Sequence, residues 1–157
     1  MAADDGAREL IARYVQALHD GDWDTIAAIQ HPDFAEDYPQ SGELIRGRRN
    51  FRAILENYPG GLEGDADASA DRVIGGADRW MISPTFTMVR LSGADDMHTA
   101  IVKLSYPDGS TWYMVSLIEL RDGRIAKATT FFAPVFDPPE WRRDWVEVTR
   151  AATGESG

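Results

Sequence analysis

Carboxylates and phenols are the residues of this chain best suited to chemistry that needs no bound group. Asp37 lies in an acidic segment between Phe34 and Tyr38. A carboxylate in mostly apolar surroundings has a raised pKa, so it can take a proton and return it near neutral pH. Tyr14 lies among apolar residues, and a phenol with a pKa of about 10 can donate a hydrogen bond to an enolate oxygen without losing its proton. The residues alone leave two other interpretations open, a solvent-facing loop aspartate and a core tyrosine.

Residue types and spacings exclude several other kinds of site. The chain has no Cys, which excludes thiolate zinc sites, iron–sulfur clusters and a Cys nucleophile. The histidines His19, His31 and His98 lack the close pairing that zinc or iron sites require, although His31 is near enough to Asp37 to line the mouth of a pocket. No phosphate-binding loop and no Ser nucleophile elbow is present. We therefore expect neither a metal nor a cofactor.

Length, composition and charge limit the class of protein. The 157 residues are 43% apolar and 27% charged, which predicts one domain over residues 1–150 and a flexible tail over 151–157. Sixteen Lys and Arg against 26 Asp and Glu give a net charge of −10, which argues against a nucleic-acid partner. No apolar run approaches the ~20 residues that cross a bilayer, and the first residues are acidic and unlike a signal peptide. We therefore expect a cytoplasmic protein that binds neither nucleic acid nor membrane.

The first part of the chain has helical periodicity. Apolar residues at three- and four-residue spacing predict a helix over 6–19, and Gly21 is suited to a left-handed C-cap after it. A short helix from Asp22 or Trp23 ends at His31-Pro32, because the residue before a proline disfavours the α region. The remaining elements of this part are two extended pieces over 34–39 and 43–46, and a helix over 47–58.

The second part of the chain is rich in β-branched and aromatic residues. Turn signals divide it, and Asp122-Gly123 is a strong hairpin signal because both residues can take positive φ. The predicted strands are 71–75, 79–91, 97–106, 111–121 and 124–133, and Pro138-Pro139 opens a short C-terminal helix with Trp141, Trp145 and Val148 on one face. Helices followed by an antiparallel sheet indicate an α+β domain.

Both faces of the predicted strand 111–121 are mostly apolar, which a sheet with one wet face would not need. Trp112 and Ser116 share one face, and Tyr113, Val115 and Leu117 share the other. One face must cover the helices, so we expect the outer face to pack on a second copy in a homodimer. A curved sheet around helices also leaves a concave mouth, where a small apolar molecule would bind.

Three segments of the chain resemble the nuclear transport factor 2-like superfamily, which includes ketosteroid isomerase and the SnoaL-like polyketide cyclases. They are Tyr14–Asp24, Glu36–Gly47 and Ile118–Ile125. The order of elements is similar over residues 8–133, and the ending Phe132–Trp145 resembles a subgroup of SnoaL-like proteins. The resemblance implies a cone-shaped, curved antiparallel sheet wrapped around three N-terminal helices, with a short C-terminal helix.

The resemblance also implies roles for particular residues. Asp37 falls where ketosteroid isomerase keeps its general base, and Tyr14 falls where that enzyme has its oxyanion-binding tyrosine. The isomerase's third group, a protonated aspartate on the penultimate strand, is not reproduced, and Ser116 is the nearest equivalent. The acid that SnoaL-like cyclases carry late in the final strand is also missing here. The expected substrate contacts are Ser116, Trp112, Tyr38, His31, Phe86 and Tyr58.

These expectations lead to three hypotheses about function. The first is a cofactor-free isomerase, cyclase or lyase that moves protons on a hydrophobic, carbonyl-bearing small molecule, with Asp37 as the proton shuttle. The second is a non-catalytic protein that binds an apolar small molecule in the same pocket. The third is an interaction domain whose cone is filled by its own Trp and Phe side chains.

Overall fold

The α-helices of the described residues pack against one face of the sheet, and capping residues mark where α1 ends and α2 begins. The computed structural model describes residues 2–58, 73–74, 80–81, 85–106 and 109–149. Its helices are α1 (Ala2–Asp20), α2 (Trp23–Ile29) and α3 (Gly47–Glu56). Gly21 follows α1 with φ of 67°, which confirms the predicted left-handed cap. Asp22 caps α2 by accepting a 3.0 Å hydrogen bond from the backbone N–H of Thr25.

The described residues contain eight strands, which follow or separate these helices. They are β1 (Gln30–Tyr38), β2 (Glu43–Arg46), β3 (Val73–Ile74), β4 (Trp80–Met81), β5 (Thr85–Ala94), β6 (Met97–Ser105), β7 (Thr111–Arg121) and β8 (Arg124–Pro134). The hairpin between β7 and β8 turns at Asp122 and Gly123 with φ of 52° and 69°, as its sequence predicts.

Six of the strands form one curved open sheet in the order β2-β1-β8-β7-β6-β5. Most neighbours are antiparallel, but β1 and β8 run parallel, a pairing that the expected all-antiparallel sheet did not contain. Bulges interrupt the register of β1 with β8, β5 with β6 and β7 with β8, and bulges bend strands and increase their twist. The α+β architecture predicted from the sequence is confirmed, with helices at the N-terminus and a curved sheet against them.

The core lies between the helices and the concave face of this sheet. Ile11 of α1, Ile29 of α2 and Phe51 of α3 are buried against Phe34 of β1 and Ile118 of β7. The Phe34 and Phe51 rings meet edge to face with centroids 5.2 Å apart. This packing holds α1 against α2 and β5 and α3 against β1 and β2, and a cavity remains between the helices and the sheet.

Several predicted boundaries differ from the structure. Helix α1 begins at Ala2 instead of residue 6, and α3 ends at Glu56 instead of residue 58. The predicted strand 79–91 appears as β4 and β5, and the C-terminal helix is a 3₁₀ turn over Glu140–Trp145. The predicted connection 60–71 and the tail 151–157 lie outside the described residues.

The helices of the described residues do not meet the requirements of a membrane span. None of them is both long and apolar enough to cross a bilayer.

Candidate active site

A cavity of about 1020 Å³ lies between the concave face of the sheet and helices α1 and α3. Apolar and aromatic side chains make up most of its wall. The aromatic members are Tyr14, Tyr38, Phe51, Tyr58, Tyr106, Trp112 and Phe132. Its volume lies at the upper end of the range of small-molecule sites, so the described residues leave room for a ligand of considerable size. Trp112 and Phe132 lie in the wall of this cavity, whereas the side chains of Trp80 and Phe86 lie outside the described residues.

Glu36 is the buried carboxyl group of this cavity. Its side chain is on the inner face of β1 and only 7% exposed. Burial penalises the charged form and raises the pKa of Glu36 to about 7, although hydrogen bonds from Thr130 and Tyr38 oppose the rise. A carboxyl group that titrates near neutral pH can act as a base in one step and as an acid in the next.

Two hydroxyl groups form a chain behind Glu36. Thr130 Oγ1 on β8 donates a 2.7 Å hydrogen bond to Glu36 Oε1. Ser116 Oγ on β7 lies 2.9 Å from Thr130 Oγ1. Because the Thr130 proton is directed at Glu36, Ser116 is the donor to Thr130 while Glu36 is ionised. Thr130 and Ser116 are both buried, and Ser116 also contacts the cavity.

Tyr14 presents a phenol to the same cavity from α1. Its hydroxyl oxygen accepts a 2.9 Å hydrogen bond from the side-chain amide of Gln30, which is itself buried at the start of β1. Burial raises the pKa of Tyr14 well above its usual value, and the nearby negative charge of Glu36 raises it further. The phenol therefore keeps its proton. Because its oxygen already accepts a hydrogen bond from Gln30, the phenol proton remains available for donation to a ligand.

Tyr38 supports Glu36 from the same strand. Its hydroxyl favours the ionised form of Glu36 and so lowers the pKa of that carboxyl, and its ring packs edge to face on Phe132 with centroids 5.6 Å apart. Burial first, and then the charge of Glu36, raise the pKa of Tyr38 well above its usual value. Tyr38 thus remains a hydrogen-bond donor at every pH where the protein works.

Asp37 does not line the cavity, which corrects the expectation that it faces a pocket. Phe34, Glu36 and Tyr38 alternate onto the inner face of β1, so the intervening Asp37 points to the opposite face of the sheet. The two-residue period of a strand, with Phe34 and Tyr38 as its apolar members, is the signal that identifies Glu36 from sequence. The resemblance to ketosteroid isomerase indicates Asp37, the residue after Glu36, for the general base.

The other expected contact residues divide into three groups. Tyr38, Tyr58, Trp112 and Ser116 all line the cavity with Tyr14. His31 does not, because its ring nitrogen Nδ1 lies 2.9 Å from Arg121 Nη2 in a polar cluster at the far end of β1. The backbone of Phe86 pairs with Leu104, but its side chain lies outside the described residues.

Metal ligands are not grouped together in the part of the chain that the structure describes. Those residues contain no group of three or more His, Cys, Asp or Glu that could hold a metal ion. The acid–base groups that they bring to the cavity are the buried carboxyl of Glu36, the exposed carboxyl of Glu43 at the rim and several hydroxyl groups.

Comparison with known families fits this geometry. The family model of the SnoaL-like domain matches residues 11–128, which include the second half of α1, the Glu36 strand and most of the sheet. The chain belongs to the SnoaL-like family. No curated protein matches the sequence.

Solved structures of SnoaL-like and related proteins share the fold. An NTF2-like protein of unknown function from Burkholderia xenovorans is 30% identical, with a TM-score of 0.70 over 93% of this chain and 97% of that one. A candidate ketosteroid isomerase from Kribbella flavida is 24% identical, with a TM-score of 0.73 over 98% and 97% of the two chains. A candidate SnoaL-like polyketide cyclase from Jannaschia is 15% identical, with a TM-score of 0.60 over 82% and 86%. The SnoaL-like chain thus has a fold of the NTF2-like superfamily, in which isomerase-type and cyclase-type proteins occur.

Proposed function

We propose that this SnoaL-like protein is a cofactor-free isomerase, cyclase or lyase that moves a proton on a hydrophobic, carbonyl-bearing small molecule. The observation that carries the proposal is the buried carboxyl of Glu36, held by two hydroxyl donors at the wall of a large apolar cavity. Sites that shuttle protons need a base whose pKa is matched to neutral pH.

In the proposed reaction the Glu36 carboxylate removes a proton from the carbon next to the substrate carbonyl. The electron pair of that C–H bond moves into the carbonyl, so negative charge develops on its oxygen. The Tyr14 hydroxyl donates a hydrogen bond to this oxygen, which lowers the energy of the enolate-like transition state. Glu36, now a carboxylic acid, returns the proton to another carbon and regains its charge.

The neighbouring residues have supporting roles in this scheme. Thr130 and Tyr38 hydrogen-bond to the carboxylate and hold its pKa down, so that burial does not leave Glu36 permanently protonated. Gln30 orients the Tyr14 phenol through its oxygen. Trp112 and Ser116 lie on one face of β7 and contact the substrate body.

The experiment compares two isosteric variants of adjacent residues, Glu36→Gln and Asp37→Asn. Each removes one carboxylate, but only Glu36 lines the cavity. Hydrophobic ketones are incubated with each protein in D₂O, and mass spectrometry measures deuterium gained beside the carbonyl. We expect exchange with the wild type and Asp37→Asn, and a loss of about 10²–10⁴-fold for Glu36→Gln.

The alternative is a protein of the same fold that binds an apolar molecule without turning it over. It predicts ligand binding in the wild type and in Glu36→Gln, with no deuterium exchange in either. Exchange that survives in Glu36→Gln but is lost in Asp37→Asn would contradict the proposed role of Glu36.

We also propose that a second copy covers the outer face of the sheet. Leu117 and Phe131 of that face are 40% and 37% exposed, and Trp141 and Trp145 after β8 are 75% and 78% exposed. At about 150–250 Å² per aromatic side chain, the exposed fractions of Phe131, Trp141 and Trp145 supply roughly 300–500 Å², about half of the ~800 Å² that each partner buries in a standard interface. Sedimentation equilibrium of the wild type and of Leu117→Glu tests this, and a wild type that stays monomeric at high micromolar concentration would contradict it. A cytoplasmic location stays a prediction.

A further inference from the structure

The charged groups in the cavity wall that the described residues form are both carboxylates. Glu36 lies deep in the wall, and Glu43 of β2 lies at its exposed rim, opposite Tyr38 in the strand register. No Lys, Arg or His belongs to the wall that the described residues form. A cavity of low dielectric with only carboxylates in its wall attracts cations and repels anions.

The aromatic side chains of the wall add a second preference for positive charge. Trp112, Tyr38 and Phe132 line the cavity, and the Tyr38 ring, which packs on Phe132, is two residues from Glu36 on the same face of β1. Cations are attracted to aromatic faces, and the attraction is strongest when both partners are removed from water. Glu36 and the rings therefore favour the same kind of ligand.

Glu36 also has the hydrogen-bonding capacity to hold such a ligand. Its carboxylate accepts a hydrogen bond from Thr130, and an ionised carboxylate offers about four acceptor positions. The Glu36 carboxyl has already lost most of its contact with water in the folded protein, and the described residues of the cavity place no cation beside it. A counter-charge placed beside it compensates for this unfavourable burial.

We propose that the cavity binds hydrophobic amines, with the ammonium group on the Glu36 carboxylate and the apolar body against the aromatic wall, and that it rejects hydrophobic carboxylates. This inference rests on the proposed function in that it uses the same carboxyl group, and it defines the charge of the molecules that the site accepts. A bound amine occupies the proton shuttle, so it inhibits turnover of a neutral carbonyl substrate.

The test uses three probes with one skeleton: naphthalen-2-ylmethylamine, naphthalen-2-ylmethanol and 2-naphthoic acid. Calorimetry at pH 8 measures their binding to the wild type, Glu36→Gln and the matched control Asp37→Asn. A hydrogen bond to a charged group is worth about 1.5–3 kcal/mol, so we expect the amine to bind about 10- to 100-fold more tightly than the alcohol. The acid binds more weakly than the alcohol. Glu36→Gln reduces the amine's advantage to within about threefold, and Asp37→Asn leaves it intact.

The pH dependence provides an independent readout. The titratable groups beside Glu36 are Tyr14 from α1 and Tyr38 from β1, which stay protonated throughout, and Glu43 of β2 lies near Tyr38. The amine's advantage should therefore fall between pH 8 and pH 5.5, whereas alcohol binding stays constant.

Three results would overturn the inference. They are an acid that binds as tightly as the alcohol, an amine advantage that survives Glu36→Gln, and no detectable binding of the amine at millimolar concentration. The proposed function is judged separately by deuterium exchange, since amine binding requires only the charge of Glu36 and no turnover.

Discussion

Replacing Thr130 by Val should shift the pH at which the site is active. The substitution keeps the side-chain shape but removes the 2.7 Å hydrogen bond that Thr130 donates to Glu36. A hydrogen bond to a charged group contributes about 1.5–3 kcal/mol, and a change of one in pKa corresponds to about 1.36 kcal/mol. Losing the bond should therefore raise the pKa of Glu36 from about 7 to about 8–9.

The direction of this change follows from which form the bond stabilises. Thr130 donates to the ionised carboxylate, so the variant favours the neutral acid, and less base is present at pH 7. When the pKa of Glu36 rises from about 7 to about 8, the ionised fraction at pH 7 falls from about a half to about a tenth.

The assay is the pH profile of deuterium exchange between pH 5 and pH 10. We expect the midpoint of the rising limb to move to about 8–9 in Thr130→Val, with activity recovered at high pH. Thr129→Val is the matched control, because Thr129 is adjacent on β8, pairs with Asp37 and does not line the cavity. A folded Thr130→Val protein whose midpoint equals that of the wild type would show that Thr130 does not set the pKa of Glu36.

Three further predictions concern other residues. The pKa of Glu36 is raised from 4.5 to about 7, so the stability that this group contributes is present below pH 4.5 and lost as pH rises through 7. Urea unfolding should therefore show that Glu36→Gln is more stable than the wild type at pH 8 by up to about 3 kcal/mol. At pH 4 this difference should be absent. Tyr14→Phe should keep the fold, as measured by circular dichroism, but slow deuterium exchange by about 10²–10³-fold, and an unchanged rate would exclude Tyr14 as the oxyanion donor. Gly93→Ala should destabilise the β5–β6 hairpin by more than about 1 kcal/mol in thermal unfolding, because the new Cβ would meet the Met97 carbonyl oxygen at far less than contact distance. Its control is Gly6→Ala in α1, where the new Cβ has nothing within 4 Å, and this substitution should stabilise the protein by about 0.5–1 kcal/mol.

Features that depend on neighbours in sequence could be predicted from the sequence. The C-cap at Gly21 and the turn at Asp122-Gly123 follow from backbone preferences of single residues, and the structure confirms them. The strand boundaries of β6, β7 and β8 were predicted within one residue, because turn residues and β-branched runs mark their ends.

Features that depend on distant residues could not be predicted in this way. Thr130 is 94 residues from the Glu36 carboxyl that it contacts, and only the parallel pairing of β1 with β8 brings them together. The ring of His31 lies beside Arg121, 90 residues away, instead of at the cavity. The choice between Glu36 and Asp37 is different, since it depended on strand alternation that the sequence does contain.

The proposed chemistry depends above all on Glu36 being a buried base poised near neutral pH. An NMR titration of the Glu36 carboxyl carbon in ¹³C-glutamate-labelled wild-type protein measures this property, with the resonance assigned by its absence in Glu36→Gln. We expect a midpoint of about 7. A midpoint at the ordinary glutamate value of about 4.3 would contradict the proposal, because the carboxyl would then be solvated and unsuited to shuttling a proton at neutral pH.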